Sequence, residues 1–142
     1  MSNEQFLKDW LHKVWIERDF AAAATAFDPG TLKSNIAGEL KMQANDYETM
    51  VTMLCRNFDV SHFTLTNVLE IGQEISAVLT VFGERRDTRS PVKIHVHVYR
   101  VIENGKFIKS CSSPDYLSFF MAMGQLPEDT LELLLMGVAL TD

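Results

Sequence analysis

Residues 92–112 read VKIHVHVYRVIENGKFIKSCS, and the fold turns on this stretch. Val92, Ile94, Val96 and Val98 alternate with Lys93, His95 and His97, the two-residue period of a strand with chemically different faces. Asn104-Gly105 stands between two β-rich runs. A two-residue hairpin turn needs positive φ at both central positions, which Asn and Gly tolerate best, so the chain is expected to fold back on itself here. That turn would pair Ile102 with Phe107, Arg100 with Lys109 and His97 with Ser112. One face then carries His95, His97, Tyr99 and Val101 with Ile108, Ser110 and Ser112; the other carries Val92, Ile94, Val96, Val98 and Ile102 with Phe107 and Cys111. Periodicity leaves open which face turns inward.

Upstream, Phe63, Leu65, Leu69 and Ile71 alternate with polar residues, and Ile75, Ala77, Leu79 and Val81 repeat the pattern after a Gly72-Gln73 turn. Four consecutive strands therefore predict an antiparallel meander. Nearer the N-terminus the period becomes helical: Phe6, Leu7, Trp10, Leu11, Val14 and Trp15 form one apolar stripe. An Ala-rich helix is expected from about Asp19, with Phe20 and Phe27 as bulky contacts and Pro29-Gly30 as its stop. Residues 31–43 suggest an irregular or short-stranded segment. Asn45 or Asp46 is placed to cap a third helix burying Tyr47, Met50, Val51, Leu54 and Phe58. After Pro114, a helix runs to Gly124, and Pro127-Glu128-Asp129 opens another. Its leucines, with Met136, Val138 and Leu140, are too many for a solvated tail, so it is expected to pack on a second subunit or close the domain. The expectation is one α+β domain over residues 1–142. Three N-terminal helices lie on a curved four-stranded meander, with one or two short extra strands allowed and a helical extension over about 115–138.

The chain of 142 residues carries 13 Lys and Arg against 19 Asp and Glu, a net charge of −6 that speaks against nucleic-acid or anionic-membrane partners. With 46% hydrophobic and 23% charged residues it reads as a globular domain, not a disordered chain. Cys55 and Cys111 stand far apart in no metal-ligand spacing, which suggests two reduced, buried thiols. No basic region leads into an apolar run at the N-terminus, and no apolar stretch nears the roughly 20 residues of a membrane span, so a soluble cytoplasmic protein is expected.

Several motifs extend this plan: Val14-Trp15-Ile16-Glu17-Arg18-Asp19-Phe20, Tyr99-Arg100-Val101, Asn104-Gly105-Lys106-Phe107, Asp115-Tyr116, and FFMAMGQLP over 119–127. Together they resemble the nuclear transport factor 2-like superfamily, specifically its SnoaL-like polyketide cyclase branch. The resemblance implies a cone with a small-molecule pocket between the concave sheet face and the helices, and a homodimer. Alignment with ketosteroid isomerase, a member of that superfamily, sets His97 where that enzyme keeps its oxyanion-hole acid and Asn35 where it has its base. Leu11 stands in place of the hydroxyl-bearing tyrosine, so steroid isomerisation is not expected. SnoaL-like cyclases close a ring by an intramolecular aldol step without cofactor or metal, with an aspartate as acid and base. The resemblance assigns that role to Asp115, with His97 as electrostatic partner, and implies that His95, Tyr99 and Asn35 orient a ligand beside Leu11, Trp15 and Phe120. Asp115 nevertheless has the strand parity of Cys111, opposite His97, and only Pro114 stands between to break it.

Plainer readings accompany each assignment. Asp115 is well placed to cap the next helix, and His95 and His97 could equally face solvent or a dimer partner. The two histidines lack a nearby carboxylate or cysteine to complete a metal site. Glu84-Arg85-Arg86-Asp87-Thr88-Arg89 fits a solvated hairpin loop better than a phosphate site. The expected function is binding of a small apolar or aromatic organic molecule, with cofactor-independent cyclase or isomerase chemistry as its enzymatic form. The alternative is a non-catalytic ligand-binding, dimerisation or protein-interaction module.

Overall fold

A computed structural model of the chain describes residues 2–35 and 46–141. Among the described residues five strands form one sheet: β1 (Phe27–Asn35), β2 (Phe58–Ile71), β3 (Glu74–Arg85), β4 (Pro91–Glu103) and β5 (Lys106–Pro114). Their spatial order is β1-β5-β4-β3-β2; the last four strands in sequence make the expected antiparallel meander, and β1 joins its edge parallel to β5. Asn104 and Gly105 sit at φ 52° and 70°, the doubly left-handed turn whose twist matches that of the strands it joins.

The pairing beyond that turn departs from simple alternation. Ile102 faces Phe107, but Val101 already faces Lys109, so Ile108 is an extra residue in β5 and Arg100 pairs with Ser110 rather than Lys109. Such a bulge exchanges the faces of every later residue. Ser110 and Ser112 thereby join the side of Val98 and Arg100, while Cys111 pairs with Tyr99. A second bulge, with Asn67 at φ 52°, interrupts β2 between Thr66 and Leu69. Phe63 and Leu65 pack against the core as their period requires, whereas Leu69 and Ile71 emerge 66% and 72% exposed.

The helices explain which face is inside. α1 (Asn3–His12) is capped by the Ser2 hydroxyl, which accepts from the Gln5 amide, and continues as a π-helical turn over Lys13–Glu17. The stripe of Leu7, Trp10, Leu11, Val14 and Trp15 lies buried with Ile75, Ala77, Leu79 and Val81 of β3 and with Val92, Ile94, Val96 and Val98 of β4. Each valine, leucine or isoleucine among them gains roughly 1.5–3 kcal/mol on burial, whereas burying the opposite face would strip water from two imidazoles. His95 and His97 are accordingly exposed.

The Ala-rich helix is shorter than its composition suggests. α2 (Phe20–Ala24) ends early, and Phe27, Pro29 and Gly30 belong to β1. Proline does halt a helix, but an edge strand also accepts it because no ladder donor is lost on the open side. α3 (Asp46–Leu54) is the third helix; Phe58 opens β2 instead of closing that helix, and the proposed cap Asn45 lies outside the described residues. α4 (Tyr116–Ala122) contributes Phe119 to the core, and Met123 beyond it is also buried. α5 (Thr130–Leu135) does not close the domain: Leu135 and Met136 remain 79% and 77% exposed. Among the described residues no helix is long and apolar enough to cross a membrane.

Candidate functional site

Between the sheet and the first and third helices lies a cavity of about 30 Å³. Trp10, Leu11 and Trp15 form one wall, Tyr47, Met50 and Leu54 of α3 another, and Ile94, Val96, Val98 and Arg100 of β4 the floor. Ser112, Pro114 and Tyr116 complete it from β5 and the start of α4. The free space is large enough for about two waters. Beyond Trp10 and Tyr47, an adjoining cleft of about 500 Å³ is lined by Arg18, Asp19, Phe20, Phe27 and Glu48 among others.

Arg100 is the dominant polar group of the cavity. It is 1% exposed and occupies the inward parity of β4 between Val98 and Ile102. Nη1 donates to the Tyr99 carbonyl at 3.0 Å and the Cys111 carbonyl at 2.9 Å. Nη1 and Nη2 each reach Ser112 Oγ at 3.4 Å, and Nη2 reaches Tyr47 Oη at 3.4 Å. Nε is buried without a partner. The Trp10 and Phe107 rings lie 5.4 and 5.6 Å from Cζ, within cation–π range. The alternation of β4 carries the signal for this residue: an arginine stands where its neighbours two places away are buried aliphatics.

Tyrosines and serines supply the remaining polarity. Tyr47 Oη and Ser110 Oγ are 3.1 Å apart, and the Tyr116 hydroxyl donates to Met50 Sδ at 2.9 Å. Burial, and then the neighbouring Tyr47, push the Tyr116 phenol above its ordinary value, so it acts as a neutral donor at physiological pH. Burial likewise raises the Cys55 thiol despite the lowering influence of Arg18 and Arg86, which marks an inert core cysteine rather than a nucleophile.

The residues singled out by sequence divide between this cavity and the outside of the sheet. Leu11 and Trp15 line the cavity; Phe120 stacks on Tyr116 with ring centroids 5.8 Å apart. Asn35 ends β1 in register with Ser112. His95, His97 and Tyr99 project from the opposite face, because the aliphatic side of β4 is the buried one. There His95 Nδ1 is 2.8 Å from Thr80 Oγ1, and Tyr99 donates to the Glu74 carboxylate. That hydrogen bond, with the partial burial and the negative charge beside it, holds the Tyr99 phenol above its ordinary value.

Asp115 is likewise outside the cavity. It is the N-cap of α4, accepting from the Ser118 amide at 3.2 Å, while its own amide donates to the His95 carbonyl at 2.8 Å. Neither Asp115 nor His97 is among the residues that line the cavity. Among the described residues no three His, Cys, Asp or Glu side chains gather as a metal site.

The arginine-rich hairpin loop is fully ion-paired. Arg86 and Arg89 both hold Asp59, at 2.7 and 3.1 Å; Arg89 also reaches Glu84 at 2.9 Å, and Arg85 pairs with Asp87 at 2.8 Å. Close approach there requires Gly83, where an added Cβ would collide with the Asp59 carbonyl and the Phe58 ring.

No family model matches the chain, and no curated protein sequence does. Solved structures do. AclR, a candidate hydroxylase from Streptomyces galilaeus, superposes with a TM-score of 0.70 at 14% identity over 95% of both chains. A protein with a ketosteroid isomerase-like fold from Catenulispora acidiphila, solved with trimethylamine, gives 0.68 at 14% identity, covering 90% of this chain and 98% of that one. A candidate SnoaL-like polyketide cyclase from a Jannaschia species gives 0.62 at 12% identity, covering 87% and 94%. The resemblance read from the sequence thus holds at the level of the fold, which is nuclear transport factor 2-like and shared with SnoaL-like and ketosteroid isomerase-like proteins.

Proposed function

We propose that this chain of nuclear transport factor 2-like fold is a small-molecule-binding domain whose ligand enters the cavity between the sheet and α1 and α3. The observation that carries the reading is an interior space walled by Trp10, Trp15 and Tyr47 on which few polar groups converge around a buried guanidinium. Apolar walls with sparse, placed polar groups are the usual make-up of a ligand site. A ligand larger than the free space displaces the half-buried side chains of Met50 and Leu54, of which methionine is the more adaptable. Fold alone does not specify a reaction, so cyclisation and isomerisation are not inherited from proteins of similar shape.

Between catalysis and binding, the cavity favours binding. General acid–base work needs a proton carrier within hydrogen-bond reach of the reacting group. The described cavity residues offer hydroxyls and a guanidinium, while His97 and Asp115 stand outside. A homodimer is part of this proposal: Leu135 and Met136 on the exposed apolar surface beyond α4 are the residues a second copy would cover.

Native mass spectrometry of the purified protein, set against the same sample denatured, tests both elements. A dimer that releases a discrete organic mass is expected. His97→Ala and Asp115→Asn should retain that molecule, and loss of it in both variants would return the outer-face residues to the centre of the function. A monomer would overturn the dimer.

A further inference from the structure

We infer that the cavity takes an organic anion, a carboxylate or comparable planar oxyanion on a small apolar or aromatic body, and that Arg100 anchors it. The inference rests on the ligand-binding reading above and adds the charge and class of the ligand. An arginine keeps its charge in a protein, and an uncompensated buried charge costs several kcal/mol. Arg100, 1% exposed, has no carboxylate partner among the described residues; its guanidinium meets only two carbonyls and two hydroxyls, with Nε left over. Every arginine of the Arg85–Arg89 loop, by contrast, holds a carboxylate in solvent. Among the described residues the loop arginines are thus paired where pairing matters least, while the buried Arg100 has no carboxylate.

The geometry suits an oxyanion. The contacts from Nη1 and Nη2 to Ser112 Oγ, at 3.4 Å, are long and weak, so they yield readily to a stronger acceptor. A guanidinium fork matches the two oxygens of a carboxylate, and the bonds so formed are charge-assisted. The Ser112 hydroxyl, on the same wall, can rotate to donate a third bond. The existing free space, about 30 Å³, is of headgroup size; the body of the ligand would lie against Trp10, Trp15 and Tyr116. The Trp10 and Phe107 rings near Cζ soften the cost of the bare cation without neutralising it, which leaves a net preference for a negative guest.

Quenching of tryptophan fluorescence, read during titration with benzoate and hexanoate and with their uncharged isosteres benzamide and hexanamide, tests this. Trp10 and Trp15 line the cavity and report on it directly. The wild-type chain should bind each carboxylate at least about tenfold more tightly than its amide. Arg100→Met should bring the two to within about twofold while still binding the amides, and its melting temperature without ligand should equal or exceed that of the wild type. Arg100→Lys, which keeps the charge but not the fork, should retain part of the preference and guards against a folding failure in the methionine variant. Amides that bind wild type as tightly as the acids would overturn the anion inference and leave the ligand-binding reading standing. Absence of binding by all four probes would overturn both.

Discussion

Two arginine sites on one meander differ in almost every physical respect. At the β3–β4 hairpin, Arg86 and Arg89 converge on Asp59 in contact with water; near the other end of β4, Arg100 lies under Trp10 and Phe107 with no carboxylate partner among the described residues. The first arrangement holds Asp59 below the usual carboxylate range, chiefly through its hydrogen bond from Arg86, yet water and salt screen what that adds to stability. The second is barely screened, so its energetics depend on what shares the cavity. A count of ion pairs would rank the surface cluster higher, whereas burial identifies Arg100 as the group with more at stake.

The largest expected effect probes the platform on which Arg100 rests. Trp10→Ala removes a 3% exposed indole whose Nε1 donates to the Ala23 carbonyl at 3.0 Å, and should cost about 3–5 kcal/mol in denaturant unfolding. A loss under about 1 kcal/mol would mean that the aromatic wall is not part of the core. Next, Arg100→Met should stabilise the ligand-free protein by about 1–4 kcal/mol, because a buried charge is exchanged for an apolar side chain of similar length. Destabilisation instead would show that the two carbonyl bonds outweigh desolvation, and the contrast between the two sites would shrink.

A smaller effect separates a cap from an acid. Asp115→Ala should cost about 1 kcal/mol, while Asp115→Asn, which can still accept from the Ser118 amide, should leave thermal stability nearly unchanged. Equal losses in both variants would point to the charge rather than the cap. The smallest effect concerns the surface cluster and depends on pH. Because the folded-state value of Asp59 is lowered, its contribution is present at neutral pH and disappears as pH falls through the usual aspartate value of about 4 and below. Asp59→Asn should therefore lower the melting temperature slightly at neutral pH and leave it unchanged in acid, which flattens the profile between the two, and added salt should diminish the difference. A change that persists at high salt would indicate that Asp59 acts through packing.

Much of the fold was legible because its signals are local. The period of β4, the Asn104-Gly105 turn and the stripe from Leu7 to Trp15 each follow from side-chain spacing and backbone preference, and each is present. The bulges at Ile108 and Asn67 were not legible, since one extra residue leaves no mark on composition yet reverses every later face. Pro29-Gly30 was misleading for a related reason: a helix stop and an edge strand look alike until a partner strand is known. The site was less legible than the fold. Attention to the polar side of β4 draws the eye to His95 and His97, whereas the informative residue was the one charged group on its apolar side.

The sequence by itself determined that β4 has two unlike faces, that the chain reverses at Asn104-Gly105, and that an apolar helix must find a sheet to cover. Only the tertiary structure decided which face that helix covers, and with it that Arg100 is inside while His97 and Asp115 are not. The reason is that a two-residue period is identical for either orientation of a strand. Inside and outside are assigned only when α1 settles on one face and removes it from water.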